Sequence, residues 1–408
     1  MRSGVSFCAL ILTLSCCGCG QAGPANTDGS AAPPVAPVAP APIPAEKGSA
    51  AVTPPAQAAP PAPPRPADAP AVAVAVNPPK PLDKMYDISQ ASAKALKIEV
   101  QFARQAERFG AAAQLQYWIY RKTKEGGYDL ACYLAQDGQL DAAFYYLQEA
   151  ALWEGVDIED AKEEAALKTL HNDARWNGVE TYLNACEAWW TKQPILEVNC
   201  IVPEGYKNDR PIPVVLGLHG YGTNAHEYFP TDEYQEFADM LQVAFVSVSG
   251  TEPLGKHRFR WSEDRKRDEA HILKGLESLK AKVTPMKGKI LLMGFSQGAE
   301  MSFEIAAGNP EQFCGAFVLS PGTTHKERDF NALSKDPMMK DRRFLFCYNE
   351  FEHPNTIASA KRDYQWASAA KAGVEIKVAP GIRKHTYPPD FYNLLAPRLA
   401  KLLTLEEK

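Results

Sequence analysis

From Ile195 onward, short apolar segments alternate with helical segments, and this alternation constrains the fold more than any other feature of the chain. Apolar runs of this length between helices predict buried parallel strands, and a parallel sheet needs helices over both of its faces. The sequence therefore predicts an α/β fold with a mostly parallel sheet. The predicted strands are residues 196–202, 214–218, 244–248, 290–293, 316–319, 344–347 and 375–378. The predicted helices are residues 234–241, 265–282, 297–307, 356–372 and 391–403.

The pentapeptide GFSQG, residues 294–298, lies where a predicted strand meets a predicted helix. The apolar run KILLM precedes it, and the amphipathic segment QGAEMSFEIAAG begins within it. A strand, a sharp turn and a helix are the context that the G-x-S-x-G nucleophile motif requires. Such a turn lifts the serine to a helix N-terminus, where free N–H groups can stabilise an oxyanion. We therefore predict that Ser296 is a nucleophile.

A serine hydroxyl becomes a good nucleophile only when a base accepts its proton, and the base is usually a histidine oriented by an acid. On a sheet of this kind the three groups follow one another in the order serine, acid, histidine. Of the eight histidines, His385 alone follows a late acid and lies between the last predicted strand and the last helix. It is the predicted base.

Two carboxylates follow the strand at 344–347 and compete for the role of the acid. Glu352 is preferred, because a proline and then a helix follow it and the turn should present its carboxylate. Glu350 is the alternative and is expected to be solvated. Asp329, after an earlier strand, is a third candidate. His353 is predicted to be a bystander.

An oxyanion needs two backbone N–H donors. Gln297 directly follows the serine and is one predicted donor. The other is Tyr221 in the HGYG segment, where flanking glycines allow the backbone to turn its N–H inward. The alternative is a plain strand-ending turn. His219 at the start of this segment is expected to be hydrogen-bonded beneath the site.

Four blocks of sequence carry a resemblance to a known family. They are HGYGTN, RWSED with Asp268 at the start of a helix, GFSQGAEMSFEIAAGNPEQFCGAFVLSPG, and HTYPPDF. From about Ile195 to Leu403 the chain resembles the α/β-hydrolases of the phospholipase/carboxylesterase type, which include acyl-protein thioesterases. The resemblance implies an α/β-hydrolase fold and an esterase-type activity.

The resemblance also implies roles for individual residues. These are Ser296, an acid and His385 as the triad, and Tyr221 and Gln297 as the oxyanion donors. The chain departs from the family pattern at the acid, because it offers Glu352 where an Asp is usual. Asn349 likewise stands where the family has a glycine.

Together these features predict a serine hydrolase that cleaves a small-molecule carboxylic ester through an acyl-enzyme. A serine peptidase with the same triad is one alternative, and an interaction protein with an inert hydrolase domain is another. Trp261 either lines the acyl pocket or packs in the core. The basic segment 257–267 either receives an anionic substrate or is a solvated helix start. No metal or other cofactor is expected, because His226 and His271 lack partners at ligand spacing.

Residues 83–192 have a helical pattern and form a second predicted domain, ahead of the hydrolase domain at 193–408. Segment 128–155 resembles a tetratricopeptide helix pair with its turn at Asp137-Gly138. An earlier, weaker copy is predicted at 102–122 with its turn at Phe109-Gly110, and 171–183 resembles the end of such an array. These repeats would bind a protein or peptide partner or pack on the neighbouring domain.

The N-terminal segment, residues 1–20, predicts export. Arg2, an apolar run at 5–14 and then several cysteines resemble a bacterial lipoprotein signal, and the run is too short to span a bilayer. Lipidation of Cys16, Cys17 or Cys19 would attach the protein to a membrane, whereas an ordinary cleaved signal would release it into the periplasm or medium.

Residues 21–82 are rich in Pro and Ala and predict a disordered linker. The net charge of −5 argues against a nucleic-acid partner. Cys132 and Cys347 lie in apolar runs and are predicted core thiols, while a disulfide between Cys186 and Cys200 is left open.

Overall fold

The computed structural model describes residues 91–322 and 335–405, and all of them belong to one compact unit, Pro66–Lys408. The predictions for the signal segment, the linker, the three candidate lipidation cysteines and Asp329 lie outside the described residues. Over these two ranges, no helix has both the length and the apolar character needed to cross a bilayer.

The first part of the described chain is helical, and we call α1 to α7 the helical region. Its helices are α1 (Ala93–Gln105), α2 (Phe109–Thr123), α3 (Gly127–Gln136), α4 (Leu140–Trp153), α5 (Ile158–Glu163), α6 (Lys168–His171) and α7 (Trp176–Trp190). The predicted turn at Asp137-Gly138 is confirmed. The predicted turn at Phe109-Gly110 is wrong, because both residues already belong to α2. The chain reverses just before them at Glu107, which has a φ of 53°. Glycine is the residue that usually adopts this left-handed conformation, so the sequence did not mark the turn.

The helical region has a hydrophobic core of its own. Fully buried alanines, among them Ala113, Ala131 and Ala143, let neighbouring helices approach closely around the larger side chains of Leu134 and Phe144. This packing agrees with the small residues at helix crossings that the sequence displays.

After the helical region the chain builds a sheet. Its strands are β1 (Val198–Ile201), β2 (Ile212–Leu218), β3 (Ala244–Val248), β6 (Pro285–Phe295), β7 (Gly315–Leu319), β8 (Arg343–Asn349) and β9 (Gly373–Ala379), and β4 (Glu252–Gly255) and β5 (Arg258–Arg260) form a separate hairpin. The order in the seven-stranded sheet is β1-β3-β2-β6-β7-β8-β9. Only the edge strand β1 is antiparallel. Each predicted strand is confirmed, whereas the hairpin has no apolar alternation and was not predicted.

Helices cover both faces of the sheet, as predicted. They are α8 (Ala225–Tyr228), α9 (Thr231–Leu241), α10 (Arg265–Ser278), α11 (Gln297–Gly308), α12 (Pro354–Ala369) and α13 (Phe391–Leu403). Alternate residues of β2 point to opposite faces. Leu216 belongs to a core shared with α10, α11 and α12, and Val215 belongs to a second core shared with α9 and α13. No disulfide joins Cys186 and Cys200 in the described part of the chain, and Cys132 and Cys347 are buried.

Candidate active site

Ser296 occupies the turn between β6 and α11. Its backbone has φ 55° and ψ −122°, a conformation that a non-glycine residue rarely adopts and that is typical of functional sites. The flanking glycines are required by close packing. A Cβ on Gly294 would lie 2.1 Å from the carbonyl oxygen of Gly298, and a Cβ on Gly298 would lie 2.0 Å from that of Leu218. The turn therefore has the geometry of a nucleophile elbow.

His385 and Glu352 are brought together at the carboxyl edge of the sheet. Nδ1 of His385 is hydrogen-bonded to Oε1 of Glu352. The other carboxylate oxygen of Glu352 accepts from Ser320 Oγ at 2.9 Å and from the Asn349 N–H at 3.0 Å. Glu352 is buried, whereas the side chain of His385 is 40% exposed. The carboxylate is thus held rigidly, and Nε2 of the imidazole is left for a reacting group.

The competing groups on the same loop point elsewhere. Glu350 is exposed and accepts the Gly381 N–H at 2.8 Å. His353 caps the N-terminus of α12, where its Nδ1 accepts the Asn355 N–H at 3.2 Å. Of the two carboxylates that follow β8, Glu352 is the one that contacts His385.

The histidine loop, residues 382–388, is fastened by Asn349. Its buried side-chain amide donates to the carbonyl oxygens of Lys384 at 2.9 Å and Thr386 at 2.7 Å, on either side of His385. On the other side, the ring of Phe295 lies 4.9 Å from the imidazole, centroid to centroid. Because Phe295 precedes Ser296, this contact sets His385 beside the elbow.

Sequence reasoning missed Ser320 and the role of Asn349. Ser320 directly follows β7, has φ 46°, and donates its hydroxyl to Glu352. Both residues are polar and lie where an apolar parallel strand ends, which is the edge where ligands and catalytic groups collect. That position was the signal that could have found them.

The oxyanion loop, residues 219–223, follows β2 and lies against the elbow. A Cβ on Gly220 would lie 3.4 Å from Cβ of Ser296. Within the described residues, the backbone N–H groups of Tyr221 and Gln297 have no hydrogen-bond partner. Two N–H groups are therefore available near the serine, as an oxyanion requires.

His219 supports this loop from below. It is fully buried, its Nε2 accepts the Gly250 N–H at 2.8 Å, and its Nδ1 lies 2.6 Å from the carbonyl oxygen of Gly220. Burial lowers the pKa of His219 to about 4, so the ring is neutral at physiological pH. This arrangement matches the expected position beneath the site.

Trp261 packs in the core, which corrects its prediction as a substrate-binding residue. Only 1% of it is exposed, and its indole N–H donates to the carbonyl oxygen of His219 at 2.9 Å. Its backbone N–H donates to Oε1 of Gln297 at 3.0 Å, and its carbonyl accepts from Nε2 at 2.9 Å. Trp261 thus holds the side chain of Gln297 and the start of the loop that carries Tyr221, and it presents almost no surface to a substrate.

The basic segment around Trp261 is largely neutralised by acids. Arg260 pairs with Glu252 at 2.8 Å and with Glu187 of α7 at 3.4 Å. Arg265 pairs with Glu304 at 2.9 Å. These ion pairs favour a structural role for the segment over recognition of an anionic substrate.

The sheet order, the antiparallel edge strand and the strained serine between β6 and α11 define the fold as that of an α/β-hydrolase. No family model matches the chain. Feruloyl esterase C of Emericella nidulans is 26% identical over 121 residues, which are 30% of this chain and 44% of that esterase. The match therefore spans less than half of the length of this relative.

Solved structures resemble the chain at low identity. An uncharacterized protein from Bacillus cereus is 14% identical with a TM-score of 0.40, covering 76% of this chain and 98% of that protein. Est1E from Butyrivibrio proteoclasticus, solved with ferulic acid bound, is 13% identical with a TM-score of 0.37, covering 51% of this chain and 94% of Est1E.

Proposed function

We propose that the protein is a serine ester hydrolase with Ser296, His385 and Glu352 as its triad. The observation that carries this proposal is the convergence of three features within one edge of the sheet. A strained serine begins a helix, and a histidine hydrogen-bonded to a buried carboxylate lies against Phe295, which precedes that serine. Tyr221, which follows Gly220 at the elbow, and Gln297, which follows the serine, carry backbone N–H groups without partners among the described residues.

The proposed reaction begins when Nε2 of His385 accepts the proton of the Ser296 hydroxyl as Oγ attacks the ester carbonyl. Glu352 holds the Nδ1–H and stabilises the imidazolium that forms. The N–H groups of Tyr221 and Gln297 stabilise the tetrahedral oxyanion. His385 then returns the proton to the leaving alcohol, and an acyl-enzyme is left on Ser296.

Hydrolysis of the acyl-enzyme uses the same groups in reverse. His385 accepts a proton from water, the hydroxide attacks the acyl carbonyl, and the proton passes to Ser296 as the acid is released. His385 therefore acts first as a base and then as an acid in each half-reaction, and its orientation by Glu352 matters in both.

The substrate class that we propose is a small-molecule carboxylic ester. The similarity to feruloyl esterase C over 121 residues supports an ester rather than a peptide bond. The half-exposed His385 supports a site that is open to solvent and to small ligands.

Turnover of a matched substrate panel tests this proposal. We expect hydrolysis of p-nitrophenyl acetate, p-nitrophenyl butyrate and methyl ferulate, with little hydrolysis of peptide p-nitroanilides. Ser296→Ala and His385→Ala should each lower kcat by about 10³-fold or more, whereas His353→Ala should leave it unchanged. Preference for the anilides would favour the peptidase, and no Ser296-dependent turnover by the folded protein would refute both activities.

A further inference from the structure

One carboxylate of the helical region reaches the oxyanion loop. Asp157 precedes α5 and caps it, because its Oδ1 accepts the N–H groups of Glu159 at 2.9 Å and Asp160 at 3.2 Å. The hydroxyl of Tyr221 donates to the other oxygen, Oδ2. Asp157 is only 6% exposed. The helix cap therefore fixes the direction in which the carboxylate faces Tyr221.

Hydrogen bonds rather than tight packing hold this carboxylate. Asp157 lines a cavity of about 190 Å³ together with Tyr128, Glu154 and Arg258. Tyr221 is 44% exposed, so the core does not fix its ring either. Burial, together with the hydrogen bond to Asp157, raises the pKa of the Tyr221 phenol, which therefore stays a neutral donor at physiological pH.

The β4–β5 hairpin holds the oxyanion loop at a second point. The Gly222 N–H donates to the carbonyl of Phe259 at 2.9 Å, and the Phe259 N–H donates to that of Thr223 at 3.0 Å. Nε of Arg258 donates to the Gly222 carbonyl at 3.3 Å, and its guanidinium lies 3.8 Å from the Asp160 carboxylate of α5. The loop is thus paired to the hairpin, and the hairpin also contacts α5.

The hairpin in turn lies directly on the helical region. The Lys256 N–H donates to the Glu154 carbonyl at 3.0 Å. A Cβ on Gly255 would lie 1.8 Å from that same oxygen, so the two backbones are in contact. Arg260 and Glu187 of α7 pair across the same contact. A continuous network of hydrogen bonds and ion pairs therefore links the helical region, the hairpin and the oxyanion loop.

We infer that the helical region is part of the catalytic apparatus, with Asp157 as a positioning residue that fixes the oxyanion loop through the Tyr221 hydroxyl. The inference rests on the proposed function, since it concerns the backbone N–H that Tyr221 would offer to the oxyanion. Oxyanion donors act through preorganisation. A loop that is free to shift should therefore lower kcat more than it weakens substrate binding.

Tyr221→Phe tests the inference because it removes one hydroxyl and leaves both the backbone N–H and the α5 cap in place. We expect kcat on p-nitrophenyl butyrate to fall about 10- to 100-fold, with KM changed by less than about two-fold. Tyr206→Phe is the matched control, because its hydroxyl bonds the Arg210 carbonyl at 2.9 Å on another part of the surface. It should leave both constants unchanged.

Substitutions at Asp157 extend the test. Asp157→Asn keeps a capping oxygen and a polar group toward Tyr221, so kcat should stay within about three-fold of wild type. Asp157→Ala should lose as much kcat as Tyr221→Phe, and the double variant should lose no more than either alone. If Asp157→Ala does not fold, Tyr221→Phe still decides the question, because it removes the same hydrogen bond from the other side.

The outcomes separate this inference from the proposed function. Ser296-dependent turnover with an unchanged kcat in Tyr221→Phe would overturn the inference and leave the esterase standing. A rise in KM at constant kcat would also overturn it, because Tyr221 would then be a substrate contact. Absence of any wild-type turnover would overturn both.

Discussion

Two loops flank Ser296, and they are held in different ways. The histidine loop is fastened from within the sheet, because Asn349 at the end of β8 bonds its backbone and Glu352 bonds its imidazole. The oxyanion loop is fastened from outside the sheet, by the β4–β5 hairpin and by Asp157 of the helical region. In the proposed mechanism, the groups that transfer the proton are therefore held by the α/β fold itself, whereas the loop that carries one oxyanion donor is also held by Asp157 of the helical region.

The largest effect should come from the acid on the histidine side. Glu352→Gln keeps the shape of the side chain but removes the charge that would stabilise the imidazolium, and its amide faces two donors, Ser320 Oγ and the Asn349 N–H. We expect kcat to fall about 10³- to 10⁴-fold in steady-state ester hydrolysis. Glu350→Gln is the control and should stay near wild type. The opposite ranking of the two variants would move the acid to Glu350.

Asn349→Ala should have the next largest effect on the same side. The substitution leaves the carbonyls of Lys384 and Thr386 without their donor and frees the histidine loop. We expect kcat to fall about 10- to 100-fold and the free energy of unfolding to fall by about 1–3 kcal/mol. Asn208→Ala is the control, because it removes a hydrogen bond that the Asn208 side-chain amide donates to the Lys280 carbonyl on the surface. A loss of stability with kcat intact would make Asn349 structural only.

On the oxyanion side, His219 should make the free energy of unfolding depend on pH. Its pKa is lowered from 6.5 to about 4 in the folded protein, so the unfolded chain binds more protons between these values. Stability from this group is therefore complete above pH 6.5 and is lost as the pH falls toward 4. By linkage, this group should lower the free energy of unfolding by about 2–3 kcal/mol when the pH falls from 7 to 4.5.

Urea unfolding of wild type and His219→Gln at both pH values measures that contribution. The difference in free energy of unfolding between pH 7 and pH 4.5 should be smaller in the variant by about the same 2–3 kcal/mol. An equal pH dependence in the two proteins would contradict a neutral buried His219.

The smallest effect is expected at the rim of the contact between α7 and the hairpin. Arg260 and Glu187 are 3.4 Å apart and partly exposed, so Glu187→Gln should cost at most about 1 kcal/mol of stability. Because neither side chain is hydrogen-bonded to the oxyanion loop among the described residues, kcat should change by less than about two-fold. A fall in kcat as large as that of Tyr221→Phe would mean that the whole contact, rather than Asp157, positions the loop.

The sheet and the elbow could be predicted because their signals are local. The composition of an apolar segment such as residues 244–248 is enough to predict a strand. The glycines at 294 and 298 indicate a turn in which larger residues would collide with the backbone. The partnership of His385 with Glu352 followed from chain order and from the turn after β8. The helix predicted at 265–282 ends earlier, at Ser278. Helix ends depend on capping and tertiary contacts, which a local pattern does not contain.

The oxyanion side could not be predicted to the same depth. The hairpin strands Glu252–Gly255 and Arg258–Arg260 carry charged and glycine residues and are held by neighbours rather than by an apolar pattern. Asp157 lies 64 residues before Tyr221, and its position in sequence predicts only a helix cap. Trp261 was ambiguous between pocket and core, because burial of an aromatic side chain is decided by what packs around it.

Active-site labelling tests the central claim most directly. The folded wild-type protein is treated with a fluorophosphonate, and the modified residue is located by peptide mass spectrometry. The account predicts one adduct on Ser296, none in Ser296→Ala, and strongly slowed labelling in His385→Ala and Glu352→Gln, with Glu350→Gln labelled at the wild-type rate. An unlabelled wild-type protein, or an adduct on another residue that persists in Ser296→Ala, would contradict a serine hydrolase centred on this elbow.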